Sequence, residues 1–156
     1  AAAVQRGIAI GNLGWIGRFA ETGVRVFGDY GLNLFNSMDF LLAGELGITE
    51  AVVAHEADPE DIIGMDFHGV KPEVAVKGRI PVMTSEHCLF NDLNAAGRGA
   101  GQGSYFLKDR KGGYYPFFQD ERTGRSMIFS HRIRDYGNKK EALMASGIYR
   151  FRIYQE

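Results

Sequence analysis

The chain has 156 residues, of which 45% are hydrophobic and 24% charged, and its formal net charge is −1. This balance is typical of a globular protein and excludes a disordered chain, while the interspersed charges give no electrostatic case for binding nucleic acid or an anionic membrane. No apolar run approaches the ~20 residues that cross a bilayer, and the single cysteine, Cys88, cannot form an intrachain disulfide. These features predict a soluble, cytoplasmic protein with a single domain over residues 1–156.

Strands and helices are predicted to alternate through the first half of the chain. Short apolar runs predict four strands, at Ile8–Ile10, Val24–Phe27, Ala51–Ala54 and Val74–Val76. A further apolar run, Ile80–Met83, extends the fourth strand after a break at Gly78 or Pro81. This spacing is typical of parallel strands that are joined by right-handed crossovers.

The clearest helix signal lies between the second and third strands, from Asn36 to Leu46. Asn36 or Ser37 can act as the N-cap, Asp39 lies in the first turn, and Gly47 ends the helix. Its predicted apolar stripe consists of Met38, Leu41, Leu42 and Leu46. We therefore expect this stripe to pack on the outside of the sheet, with Leu42 in the core.

The second half of the chain has a different pattern. Residues 94–104 are rich in glycine and predict a long loop. Three antiparallel strands follow as a β insertion over residues 105–129, at Tyr105–Leu107, Tyr114–Phe118 and Ser126–Phe129. A last helix (138–146) precedes a closing strand (148–154). The chain thus has about four strand–helix units, whereas a complete eight-fold barrel takes ~250 residues. The sequence therefore predicts either a fragment of a barrel or a half-barrel that a second chain completes.

Several stretches, in order along the chain, resemble the collagenase-like peptidases, a family whose catalytic type is unassigned. The segments that carry this resemblance are Gly28–Ser37, Ala43–Gly47, Val52–Glu56, Glu73–Met83 with Ser85 and Cys88, and Leu107–Arg110 leading to Tyr115-Pro116. The resemblance covers nearly the whole chain. It implies the C-terminal half of a modified (βα) barrel of the TIM-barrel type, and a peptidase activity.

Some relatives in that family hydroxylate RNA or quinone precursors with an iron–sulfur cluster. Such a cluster is held by about four cysteine thiolates, and this sequence has only Cys88. An iron–sulfur cluster is therefore not expected, and the hydroxylase function is the least favoured of the alternatives.

Polar residues at the predicted strand ends form the candidate pocket, because loops at the C-terminal ends of parallel strands carry the functional groups. The candidates are Asp29, Asn33, His55, Glu56 and Ser85. They supply carboxylates and amides but no obvious cation, and a peptide C-terminus or small carboxylate is the expected ligand. Alternatively, Asn33 and Asn36 cap a helix and Asp29 accepts hydrogen bonds in a turn.

His87 and Cys88 are the candidate metal ligands, because zinc prefers imidazole and thiolate. One chain offers only this pair, so a site with four ligands requires a homodimer in which each copy supplies two. The alternative is a free thiol beside a surface histidine. A catalytic triad around Ser85 is disfavoured because nothing in the sequence places His55 or His131 beside it and no G-x-S-x-G elbow is present. A pair of Cys88 and His87 is disfavoured because neighbouring residues on an extended segment point to opposite sides.

These observations leave two main functions open. The first is a peptidase, through resemblance, whose catalytic residues are unknown. The second is a non-catalytic peptide- or ligand-binding barrel domain that dimerises around zinc.

Overall fold

The computed structural model describes residues 7–91, 105–120 and 122–154, so the glycine-rich segment 94–104 lies outside the described residues. The strands, in chain order, are β1 (Gly7–Ile10), β2 (Arg25–Gly28), β3 (Glu50–Val52), β4 (Lys71–Gly78), β5 (Pro81–Ser85), β6 (Tyr105–Lys108), β7 (Tyr114–Gln119), β8 (Ser126–Phe129), β9 (Arg134–Asp135) and β10 (Arg150–Ile153). The α-helices are α1 (Ile16–Ala20), α2 (Ser37–Glu45), α3 (Pro59–Ile63) and α4 (Lys140–Ala145). No described helix is long and apolar enough to cross a membrane.

The chain divides into two compact units. The first comprises Ala1–Lys77 and Asp135–Ile153, and the second comprises Gly78–Arg134 and Tyr154–Glu156. The first unit therefore contains the predicted strand–helix repeats and the closing strand, while the second contains β5 and the β insertion.

The parallel sheet follows the chain order β1-β2-β3-β4-β10, with β9 as a sixth strand paired to β4. Each neighbouring pair along that path is parallel. The structure thus confirms the mixed α/β class and the parallel pairing of the first four predicted strands. Within the described residues this path is open at β1 and β10, and these strands do not form a closed barrel.

The helices of the first unit share one core with one face of the sheet. Residues that are paired in register, or two apart along a strand, point to the same face. The buried strand residues of this face are Ile10, Val26, Ala51, Val74 and Val76. They form a single cluster with Ile16, Phe40, Ile62 and Leu143, which come from α1, α2, α3 and α4 respectively. All four helices therefore pack on the same side.

Helix α2 begins as predicted but buries a different face. Asn36 is its N-cap, and Asp39 completes a capping box. The buried residues are Phe40 and Ala43, whereas Leu42 is 49% exposed. The predicted core position of Leu42 is therefore wrong. Apolar residues occur around most of this helix, so periodicity could not identify the buried face. On that face, the ring of Phe40 packs edge-on against the ring of Phe67.

The second unit contains an antiparallel sheet in the order β5-β8-β7-β6. The three predicted strands of the β insertion are confirmed as β6, β7 and β8. The run at Ile80–Met83 does not extend the fourth strand, since β5 pairs with β8 instead. The break falls at Gly78, where φ is +105° and a Cβ would clash with the backbone oxygen of Tyr154. Only glycine fits there without strain.

Substituting Phe40 tests which face of α2 carries the stability. Phe40→Ala removes a fully buried ring and should lower the free energy of unfolding by about 3–5 kcal/mol. Leu42→Ala, two residues along the same helix, should cost less than about 1 kcal/mol because the side chain is half exposed. Urea unfolding of both variants measures the difference, and equal losses would contradict this packing.

Candidate functional site

The face of the parallel sheet opposite the helices carries many charged side chains. Register pairs Glu50 with Phe27 and Lys71, and pairs Glu73 with Val52 and Arg150, so these residues share one face. The charged residues of this face include Arg25, Asp29, Glu50, Lys71, Glu73, Arg150 and Arg152, and we call it the charged face. Both arginines of β10, Arg150 and Arg152, lie on it because they are two residues apart along the strand.

Arg152 connects two carboxylates from different strands. Its Nη1 donates to Oδ1 of Asp29 at 2.8 Å, and its Nε donates to Oε1 of Glu73 at 2.5 Å. All three side chains are partly buried. A planar guanidinium suits this geometry because its donors lie in a fixed fork. The expectation of a pocket without a cation is thus corrected. The sequence did not indicate this ion pair because Arg152 lies 123 residues after Asp29.

A second ion-pair group surrounds Glu50, which is only 7% exposed. Arg150 Nη1 lies 2.5 Å from its Oε2, and Lys71 Nζ lies 4.0 Å from its Oε1. The contact with Arg150 has the distance of an ion pair but lacks hydrogen-bond geometry, so Oε2 accepts no hydrogen bond from the described residues. The two cations offset the cost of burying this carboxylate.

Tyr30 and His55 stack at the C-terminal ends of β2 and β3. Their ring centroids are 5.1 Å apart and the ring planes differ by 18°. His55 is buried and follows the end of β3, while Tyr30 directly follows Asp29. The structure therefore brings two predicted site residues, Asp29 and His55, to neighbouring strand ends.

A close approach of two loops shapes the same end of the sheet. A Cβ on Gly31 would lie 2.7 Å from the backbone oxygen of Gly11, so the loops after β1 and β2 can meet only if residue 31 is glycine. Asn33 follows in a left-handed conformation, with φ +52°, and ends the short 3-10 helix Tyr30–Leu32. It lines a small cavity of about 80 Å³ together with Asp39. Glu56 is exposed.

The remaining predicted residues, Ser85, His87 and Cys88, lie in the second unit. Ser85 Oγ accepts from the backbone N–H of His87 at 3.1 Å. Gln119 donates from Nε2 to Sγ of Cys88 at 2.7 Å. The fully buried Ser126 donates from Oγ to the carbonyl of His87 at 2.8 Å. Strands β7 and β8 thus fix the position of the thiol, a connection that the sequence did not indicate.

No group of three or more histidine, cysteine or acidic side chains that could hold a metal occurs within residues 7–91, 105–120 and 122–154. A zinc ion shared by two copies draws only two ligands from each chain. The pair His87 and Cys88 therefore stays a prediction.

The turn between β6 and β7 is closed by Asp109. Its Oδ1 accepts from the backbone N–H groups of Lys111 and Gly113, each at 2.8 Å, and its Oδ2 accepts from the hydroxyl of Tyr115 at 3.3 Å. The N–H of Gly113 is the main cause of a lowered pKa for Asp109. Burial, followed by the charge of Asp109, raises the pKa of Tyr115. This aspartate of the Leu107–Arg110 motif therefore has a structural role.

Comparison of the chain with family models, curated proteins and solved structures finds no match. Support for a function of the candidate site therefore comes from its geometry alone.

Removing the Arg152 guanidinium tests whether it organises the charged face. Arg152→Met keeps the apolar stem but leaves Asp29 and Glu73 without this partner. We expect the free energy of unfolding to fall by about 1–3 kcal/mol, because partly buried charges lose hydrogen bonds. The matched control is Lys139→Ala, which removes an exposed ion pair with Glu60 at 2.7 Å. Urea unfolding should show a much smaller loss for that variant, and a similar loss would argue against a special role for Arg152.

The lowered pKa of Asp109 predicts how the β6–β7 turn responds to acid. A lowered folded-state pKa means that the stabilisation is present above the unfolded value of about 3.9. It is lost only as pH falls through the lower folded value. NMR titration of the Lys111 and Gly113 amides should therefore give a midpoint below the usual range for aspartate. Asp109→Asn should abolish this transition, and a midpoint at or above 3.9 in the wild type would contradict the prediction.

Proposed function

We propose that this chain forms part of a (βα) barrel similar to that of the collagenase-like peptidases. The sequential strand order and the packing of all four helices on one face support this proposal. A doubly wound sheet reverses its strand order at a switch point and has helices on both faces. In a barrel, the helices form an outer ring and the strands follow in order.

The charged face would then line the barrel interior. Parallel sheets usually have both faces covered, and here the helices cover only the opposite face. The burial of Glu50 beside Arg150 is consistent with an interior that is screened from water. A crystal structure of the protein should show further parallel strands hydrogen-bonded to both β1 and β10. An antiparallel neighbour on either edge would contradict the barrel.

Within this barrel we propose peptide hydrolysis, with the peptide held at the C-terminal ends of β2 and β3. The observation that carries this proposal is the grouping of the Asp29–Arg152–Glu73 ion pairs with the stacked rings of Tyr30 and His55. Imidazole can accept or donate a proton near neutral pH. His55 is thus the candidate proton carrier for water attacking the scissile amide, and the ion pairs hold the surrounding polar groups in place.

A peptide-library assay with the purified protein, read by mass spectrometry, tests this proposal. We expect cleavage by the wild type and at least a tenfold loss of rate in His55→Gln, which is within the usual contribution of a general base. His68→Asn is the matched control, because His68 lies in the loop before β4 with a left-handed φ of +47° that asparagine tolerates. Equal rates in both variants would remove His55 from the mechanism.

The second candidate is a non-catalytic peptide- or ligand-binding domain that dimerises around zinc. The position of Cys88 favours it, since Gln119 and Ser126 fix the loop that carries Cys88 and the exposed His87. Two copies would supply two sulfur and two nitrogen ligands, the set that structural zinc sites use. An iron–sulfur cluster is not proposed, since the sequence has one cysteine.

Elemental analysis of the untagged protein, combined with its mass in solution, tests the zinc site. We expect about half a zinc ion per chain, which is the stoichiometry of a site shared across a two-fold axis. Cys88→Ser should lower the zinc content, and metal affinity should fall with pH as protons compete for sulfur and imidazole. A metal-free protein that a chelator does not change would leave Cys88 as an ordinary thiol.

A further inference from the structure

The outward face of the antiparallel sheet in the second unit is apolar. Register pairs Phe106 with Pro116, Phe118 with Met127, and Lys108 with Tyr114, so these residues share one face. The apolar members are Phe106, Tyr114, Pro116, Phe118, Met127 and Phe129, which we call the aromatic face. An antiparallel sheet with one buried face normally presents polar side chains on the other. This face departs from that pattern.

The opposite face accounts for the core of this unit. Phe117, Gln119, Ser126 and Ile128 are buried on it, and Phe90 packs against Phe117 with 5.5 Å between ring centroids. The aromatic face is thus not needed for the packing of its own sheet. Its rings remain open, with Phe106, Tyr114 and Phe118 at 50%, 54% and 61% exposed.

We propose that the aromatic face binds the same face of a second copy of this chain. Half-exposed aromatic rings each leave roughly 100 Å² open, so the whole face offers on the order of 500 Å² per copy. Two copies would bury roughly 1,000 Å², which lies at the lower limit for a specific interface. An exposed apolar patch of this size is comparable to the largest one on a typical monomer, which is often functional. Two such sheets can pack face to face at about 10 Å, as in a β-sandwich.

The charges on this face favour a second copy over single-stranded nucleic acid. A strand of nucleotides needs cations beside the stacking rings to neutralise its phosphates. Among the described residues of this face, Lys108 is the basic side chain, and its Nζ already lies over the Tyr114 ring at 5.1 Å from the centroid. Arg125, the residue before β8, is paired with Glu86 at 2.7 Å. Packing against an identical apolar face buries the rings without opposing like charges at its centre.

The test is the mass of the protein in solution, measured by sedimentation over a concentration series. We expect a monomer–dimer equilibrium in the wild type that persists with chelator, which distinguishes this interface from a dimer held by zinc. Phe118→Lys and Phe106→Lys should each weaken the dimer at least tenfold. Met38→Lys is the matched control, because Met38 is 67% exposed on α2, and it should leave the equilibrium unchanged.

Three results would overturn the proposal. The first is a wild-type monomer at every concentration. The second is a dimer that survives both lysine variants, provided that their circular dichroism matches the wild type. The third is a monomeric wild type that binds a fluorescent poly-uridine oligonucleotide through Phe118, which would assign the face to nucleic acid.

Discussion

The architecture of the first unit depends on how the two faces of its parallel sheet are covered. Helices α1 to α4 bury one face through residues such as Val26, Val74 and Phe40. Since crossovers of one hand between sequential strands place every helix on the same side, the other face receives no helix from the described part of this unit. It carries ion pairs together with small buried apolar residues, Val52 and Ala75. The requirement to cover both faces of a parallel sheet thus links strand order, helix packing and the position of the candidate site.

Two ion pairs on the charged face, Arg152 with Asp29 and Arg150 with Glu50, join strands that are not neighbours. Arg152 on β10 reaches Glu73 on β4 and also Asp29 after β2, although β3 lies between β2 and β4. The contact with Asp29 therefore connects the end of the sheet across several strands. A stretched or slipped register would separate the guanidinium from one carboxylate. The closing strand has a register irregularity between Arg152 and Ile153, beside this contact.

Local sequence signals identified the strands, the N-cap of α2 and the hairpins, because each depends on residues close together in the chain. Asn36 and Asp39 form the capping box within one turn, and Gly112 and Gly124 adopt the positive φ that their turns require. The sequence could not identify the buried face of α2, since its apolar residues occur all round the helix. It also could not pair Arg152 with Asp29, because that contact exists only after the sheet has formed.

The assignment of β5 failed for a related reason. Residues 74–83 form an almost continuous β-prone segment, and nothing within it indicates that Val76 and Met83 join different sheets. What separates them is the positive φ of Gly78, which turns the chain, and the pairing of β5 with β8 more than 40 residues later. Only the glycine was visible in the sequence, where it indicated a break but not a change of partner.

Stability alone does not account for the ion pairs of the charged face. Replacing buried ion pairs with apolar residues of similar volume is often neutral or stabilising. If the side chains at positions 50, 73 and 152 had only to cover the sheet, valine and leucine there would therefore give at least the same stability. Instead, these positions carry charges, and Arg152 pairs with Asp29 at the same strand ends as the buried His55. Proteins depart from local packing rules mainly at functional sites, and the Asp29–Arg152–Glu73 group is such a departure in the described part of the first unit.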